Sequence, residues 1–182
     1  MPSSACPSTR SPNVPIARVC SYGRSVILWF VGASVLSVWF VFRDTRFDHR
    51  FLILGVLLPD VIDGVWGGAR ALHSITGSVA ILVAVMIATA GRKPIRRRLL
   101  AIPIGTFLHL IFDGAFSSTK VFWWPVTGLS FDGAALPVVE RGWLNVGFEI
   151  VGLLLCVHAW KRFGLSDPAR RREFARHGTL HE

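Results

Sequence analysis

Phe51-Leu52-Ile53-Leu54-Gly55-Val56-Leu57-Leu58-Pro59-Asp60-Val61-Ile62-Asp63-Gly64-Val65-Trp66 is an apolar run broken by only two carboxylates. Four more such runs flank it. Ser25 to Phe42 has no charge, and Ala71 to Ala90 carries only His73. Leu99 to Phe116 carries only His109 and Asp113, and Gly142 to Trp160 carries only Glu149 and His158. Each run is near the roughly 17–25 residues that a spanning helix needs. With 52% hydrophobic residues in 182 and a mean hydropathy of +0.50, the chain is too apolar for a soluble protein of this length. The expectation is an all-α fold, an integral membrane bundle of about five transmembrane helices. The Phe51–Trp66 run is slightly short, so it is tilted, broken near Pro59, or re-entrant. Pro103 in the fourth run is tolerated as a kink.

Around this block the sequence suggests three parts: a Pro/Ser-rich leader over residues 1–23, too poor in apolar residues to fold, a membrane helical domain over 24–162, and a basic cytoplasmic tail over 163–182. The first apolar run is long and lacks an Ala-x-Ala cleavage site, which favours a retained helix over a signal peptide. Three cysteines give no disulfide framework. The net charge of +9 could suggest nucleic acid, but position argues against it. Arg92, Lys93, Arg96, Arg97 and Arg98, then Lys161, Arg162, Arg170, Arg171, Arg172 and Arg176, cluster beside apolar runs. That is the positive-inside pattern, so the expected partners are membrane lipids and no nucleic acid. Both clusters then lie in the cytoplasm, with the carboxyl terminus, in a multi-pass protein of the inner membrane. The segments after Asp63 and Asp113 face outward.

Counted at about 1.5 Å per residue from the cytoplasmic ends, Asp60, Asp63, His109, Asp113 and Glu149 stand about 15–22 Å up, in one slab of the outer half of the membrane. His73 stands about 28 Å up, near the outer boundary, and His49 lies at the inner boundary. Asp60 and Asp63 are spaced i, i+3, and His109 and Asp113 i, i+4, as are Asn145 and Glu149; each pair shares one helix face. Ionisable groups in lipid are costly and persist when paired, wetted or bound to something, and Asp and His are ligands of catalytic metals. Three uses fit: a metal or catalytic site, a proton or ion path, and polar contacts that hold helices together. The ion-path reading makes the chain a small transporter with no inverted repeat, which would need a homo-oligomer. A fourth use, a non-enzymatic adaptor, would act through the basic tail. Trp123 and Trp124 fit an interfacial aromatic belt.

Leu57-Leu58-Pro59-Asp60-x-x-Asp63, then Ala71-Leu72-His73-Ser74, Gly105-x-x-x-His109-x-x-x-Asp113 and Phe122-Trp123-Trp124-Pro125 follow one another in that order. The series resembles the bacterial and archaeal membrane-bound metal-dependent hydrolases, some of which were named for control by the DNA-damage repressor. The likeness covers about Phe51 to Gly128. It departs in two places: Tyr22-Gly23-Arg24-Ser25 stands where the family has a His, and Gly68-Ala69-Arg70-Ala71-Leu72-His73 replaces a stretch richer in histidine. The resemblance implies a divalent metal, zinc or else manganese, held by the motif residues Asp60, Asp63, His73, His109 and Asp113. Five candidates exceed the three protein ligands usual for one catalytic zinc, so some would orient an imidazole or two metals would be bound. Glu149 is the candidate general base, and Asp63 a catalytic carboxylate. Arg70, Lys120 and Trp124 are candidate contacts for an amphiphilic substrate, a lipid or polyprenyl phosphoester approached from the outer leaflet.

Overall fold

A computed structural model describes residues 26–65, 71–117, 119–128 and 143–181. The fold is all-helical, and no strand occurs among the described residues. In chain order the helices are α1 (Ile27–Phe42), α2 (His49–Val65), α3 (Ile75–Ala88), α4 (Lys93–Leu99), α5 (Ala101–Phe112), α6 (Thr119–Phe122), α7 (Leu144–Arg162) and α8 (Pro168–His177). A 3₁₀ turn, Ala71–His73, leads into α3, and another, Ala115–Ser117, follows α5. The leader expected over residues 1–23 lies outside the described residues.

The helix ends follow local chemistry. Ser74 caps α3 by accepting from Gly77 N at 3.0 Å, while its own hydroxyl donates to Ala71 O at 2.6 Å. That second bond ties the 3₁₀ turn to the helix it precedes. Asp167 caps α8 by accepting from Ala169 N at 2.8 Å, Pro168 takes the first helical position, and Gly178, at φ 71°, stops the helix; these are the residue types each position favours. α2 runs unbroken through Pro59, so no break occurs there. The fourth apolar run is divided: Leu99 ends α4, α5 holds twelve residues, and the chain turns at Asp113 and Gly114. Only α7, among the described residues, is long and apolar enough by itself to cross a membrane; α1 and α3 are shorter apolar helices.

Two crossings set the architecture: α2 packs along α5, and α1 along α7. Both depend on close backbone approach. A Cβ on Gly55 of α2 would stand 2.8 Å from Ile102 Cα, and one on Gly105 of α5 would stand 2.7 Å from Val56 N. A Cβ on Gly32 of α1 would stand 2.9 Å from Gly152 O of α7. Small residues at helix crossings are the device that lets membrane helices gain van der Waals contact and fit together.

The core joins Val26, Phe30, Val35 and Val38 of the first helix region to Leu52 and Val56 of α2, with Ala101, Ala159, Phe163 and Leu180. The last two lie in the basic segment after Arg162. Phe163 packs edge-on to Trp39 at 5.0 Å. Arg50 bridges Asp48 and Ala175 O, both at 2.8 Å, and His49 N donates to Gly178 O at 2.9 Å. The basic segment after Arg162 folds back on the base of α1 and α2 through Phe163, Leu180 and α8. At the same end Arg97 of α4 pairs with Asp44. The backbone N–H of Arg46, and then the Arg97 guanidinium, hold the Asp44 carboxyl below its usual range.

Candidate metal centre

The crossing of α2 and α5 brings together the ionisable groups of the second and fourth apolar runs. Asp60 and Asp63 come from α2, His109 and Asp113 from the end of α5, and His73 from the 3₁₀ turn, which packs against α2 and α3 and meets α5 through the His109 ring. One nitrogen or oxygen from each of Asp60, His73 and His109 lies within 4.8 Å of the other two. Asp60 Oδ1 stands 3.4 Å from His73 Nε2 and 3.5 Å from His109 Nε2. Ligands held about 2.0–2.1 Å from a tetrahedral zinc stand roughly 3.3 Å apart. The two distances from Asp60 match that spacing, and by donor type the group could hold a divalent metal ion.

No family model, curated protein or solved structure matches the chain.

The supports around the three groups are specific. Asp63 Oδ2 accepts from His73 Nδ1 at 2.8 Å and from His73 N at 3.2 Å. A proton on Nδ1 leaves Nε2 as the lone-pair nitrogen, turned toward Asp60. This is the carboxylate–histidine arrangement that fixes the tautomer of a metal ligand. His109 is stacked on Phe30 of α1, with centroids 4.4 Å apart and planes at 27°. The two imidazoles meet nearly edge to face, 5.3 Å apart at 84°. The side chains of His73 and His109 are 1% and 0% exposed, that of Asp60 24%. Asp60 is therefore the partly exposed member of the three.

The other expected site residues divide. Asp63 is in contact with His73 rather than in the three-residue group. Asp113 is buried at the C-terminal end of α5, where its N–H donates to His109 O at 2.8 Å, and it lies within electrostatic reach of His73. Glu149 has a different partner from the one expected of a general base. Its carboxylate accepts from Leu28 N, at 3.1 and 3.3 Å. The first N–H groups of a helix have no partner within it, and Val26 gives α1 no side-chain cap. Glu149 supplies that cap from α7. His49 contacts Phe47 O and Gly178 O at the opposite end of α2 and does not join the cluster. Trp124 is half-buried in the loop after α6, and its carbonyl accepts from Thr76 Oγ1 of α3 at 2.6 Å. Arg70 and the Lys120 side chain lie outside the described residues.

Sequence reasoning did not foresee Phe30 as the support of His109. It lies in an apolar run with no polar landmark, and its role depends on a contact between residues 79 positions apart, the difference between 109 and 30.

Proposed function

We propose that this chain is a multi-pass membrane protein of the inner membrane that uses a divalent metal, zinc or manganese, to hydrolyse an amphiphilic phosphoester, as its resemblance to the membrane-bound metal-dependent hydrolases implies. The observation that carries the reading is the convergence of Asp60, His73 and His109 on one point, with Asp63 bonded behind His73.

The distribution of side chains supports the membrane part. Val79, Val83 and Ile87 of α3, Ile150 and Leu154 of α7, and Phe40 of α1 are all about half exposed or more. His73, His109, Asp63, Asp113, Thr106 and Asn145 are buried at 3% exposure or less. Apolar outside and polar inside is costly in water and expected in lipid, where ionisable groups face the bundle interior. Five helices lie on the five apolar runs, and the basic residues near α4, α7 and α8 favour a cytoplasmic carboxyl terminus. α5, at about 18 Å, is shorter than the roughly 30 Å hydrocarbon thickness. It would span together with its flanking turns.

The chain's own residues divide the chemistry. Asp63 holds His73 with its Nε2 lone pair turned inward, Phe30 restrains the His109 ring, and Asp60 stands where the buried pair meets the solvent. A bound zinc there would supply an acidified water, with a pKa near 7. Purified in detergent, the protein is expected to carry zinc or manganese by plasma mass spectrometry and to lose it in His109→Ala. Full metal content in that variant, or no metal in wild type after incubation with both ions, would defeat the reading. In that case a divalent-ion flux in liposomes would identify the same groups as an ion path.

A further inference from the structure

Three consecutive residues at the start of α1, Leu28, Trp29 and Phe30, tie α7 to the end of α5. Glu149, Gly152 and Cys156 share one face of α7, at i, i+3 and i+7, and all three meet this turn. The Glu149 carboxylate accepts from Leu28 N. The Cys156 thiol, a weak donor, points to Leu28 O at 3.6 Å. A Cβ on Gly152 would run into the Leu28 and Trp29 backbone. α7 therefore seats the turn through its backbone and leaves the next two side chains to other work.

Those side chains reach the end of α5. The last four carbonyls of a helix have no partner within it. Asp113 N takes that of His109, and Gly114 N takes that of Ile111. The Trp29 indole N–H takes that of Phe112, at 3.4 Å, while its ring meets the Phe112 ring edge-on at 5.8 Å and the Phe148 ring of α7 at 5.1 Å. Trp29 thus closes the turn that carries His109. Phe30 lies flat against the His109 ring itself. The outer torsion of an imidazole is broad, so a ring face beside it narrows where the nitrogens can point. His73 is turned by a carboxylate; His109 is set by a held helix end and an aromatic wall.

We propose that the first turn of α1, seated on α7, is a brace for the candidate metal centre: Trp29 fixes the last turn of α5 and Phe30 the plane of the His109 ring, so that two residues offering no ligand set how tightly the metal is held. The inference rests on the functional reading above and adds α7, acting through α1, to the elements on which that site depends.

The probe is zinc alone, with affinity measured by chelator competition on the 182-residue chain in detergent and the metal-free thermal midpoint taken on the same samples. Trp29→Phe keeps a ring and loses the N–H. Phe30→Leu keeps an apolar side chain and loses the ring face. Each is expected to bind zinc at unchanged stoichiometry with affinity lower by about two- to tenfold, the worth of one hydrogen bond or one aromatic pair. Val38→Ala, in the buried core about two turns further along α1, is expected to lower the midpoint and leave the affinity unchanged, which separates positioning from stability. 5-Fluorotryptophan gives a second readout. The Trp29 fluorine resonance, assigned by its absence in Trp29→Phe, is expected to move when zinc is added, and to move in metal-free His109→Ala. Unchanged affinity in both variants, with a Trp29 resonance indifferent to zinc and to His109→Ala, would overturn the brace and leave the metal reading intact. A wild type that binds no zinc, with the resonance still moved by His109→Ala, would instead defeat the metal reading and, with it, the effect on affinity.

Discussion

Asp63 takes two hydrogen bonds from one histidine, and this makes its role separable from that of Asp60. Asp60 faces both imidazoles, whereas Asp63 sits behind His73. Loss of an outer partner of this kind costs about 10- to 100-fold in metal affinity. Asp63→Asn is therefore expected to bind zinc at unchanged stoichiometry but with affinity reduced by that factor in a chelator competition. Asp60→Asn is expected to lose the stoichiometry itself. Equal affinity in wild type and Asp63→Asn would show that the His73 contact does not orient a ligand. Glu149 is tested in the same way. As a cap on α1, Glu149→Gln should keep full metal content and cost about 1 kcal/mol of stability, seen as a small fall in the thermal midpoint in detergent. Normal stability with abolished turnover of a lipid phosphoester would return it to the chemistry. The residue types at the centre were legible in the sequence because Asp and His inside apolar runs need a reason to be there. The division of labour among them was not, because Leu28 and Glu149 are brought together by the α1–α7 crossing, which leaves no spacing signal in the chain.

At the scale of elements, the candidate metal centre depends on how closely α2 and α5 approach. Gly55 and Gly105 permit that approach from opposite sides. A side chain at 105 would press on α2 backbone one turn from Asp60 and would move α5, and with it His109. Overpacking of this sort costs about 1–3 kcal/mol. Gly105→Val is therefore expected to lower the thermal midpoint and to lose bound metal, although residue 105 carries no ligand. An unchanged metal content would mean that the centre tolerates a shifted α5. The apolar runs gave the positions of α1, α2, α3 and α7 to within a few residues, since a continuous run fixes where a helix lies. They did not give the shortness of α5, because the chain turns at Gly114 while the apolar composition continues through Ala115 and Phe116. They also did not give the docking of α8, which follows from the burial of Phe163 and Leu180 against the base of the bundle and has no periodic signal in an arginine-rich segment.

For the whole molecule, the proposed topology has a consequence that chemistry at the site does not. The arginines of the α4 region and those of α7 and α8 lie at the same end as Arg50, Asp48 and the docked carboxyl-terminal segment, whereas His73 and the cluster lie toward the other ends of α2 and α5. If lysine and arginine bias sets orientation, the α8 end is cytoplasmic and the Asp60 opening faces away from the cytoplasm. A fluorescent protein fused after Glu182 should then be bright, and an alkaline phosphatase fused there inactive. A single cysteine placed at Val126, which is 85% exposed in the loop after α6, should react with a membrane-impermeant maleimide in intact spheroplasts. The background for that experiment replaces Cys6, Cys20 and Cys156 with serine or alanine. The reverse labelling pattern would turn the candidate centre toward the cytoplasm and exclude an outer-leaflet substrate, while leaving the site's geometry and the fold as they are. Release of the protein from membranes by carbonate without detergent would go further. It would show that the exposed apolar faces of α3 and α7 are covered by protein rather than by lipid.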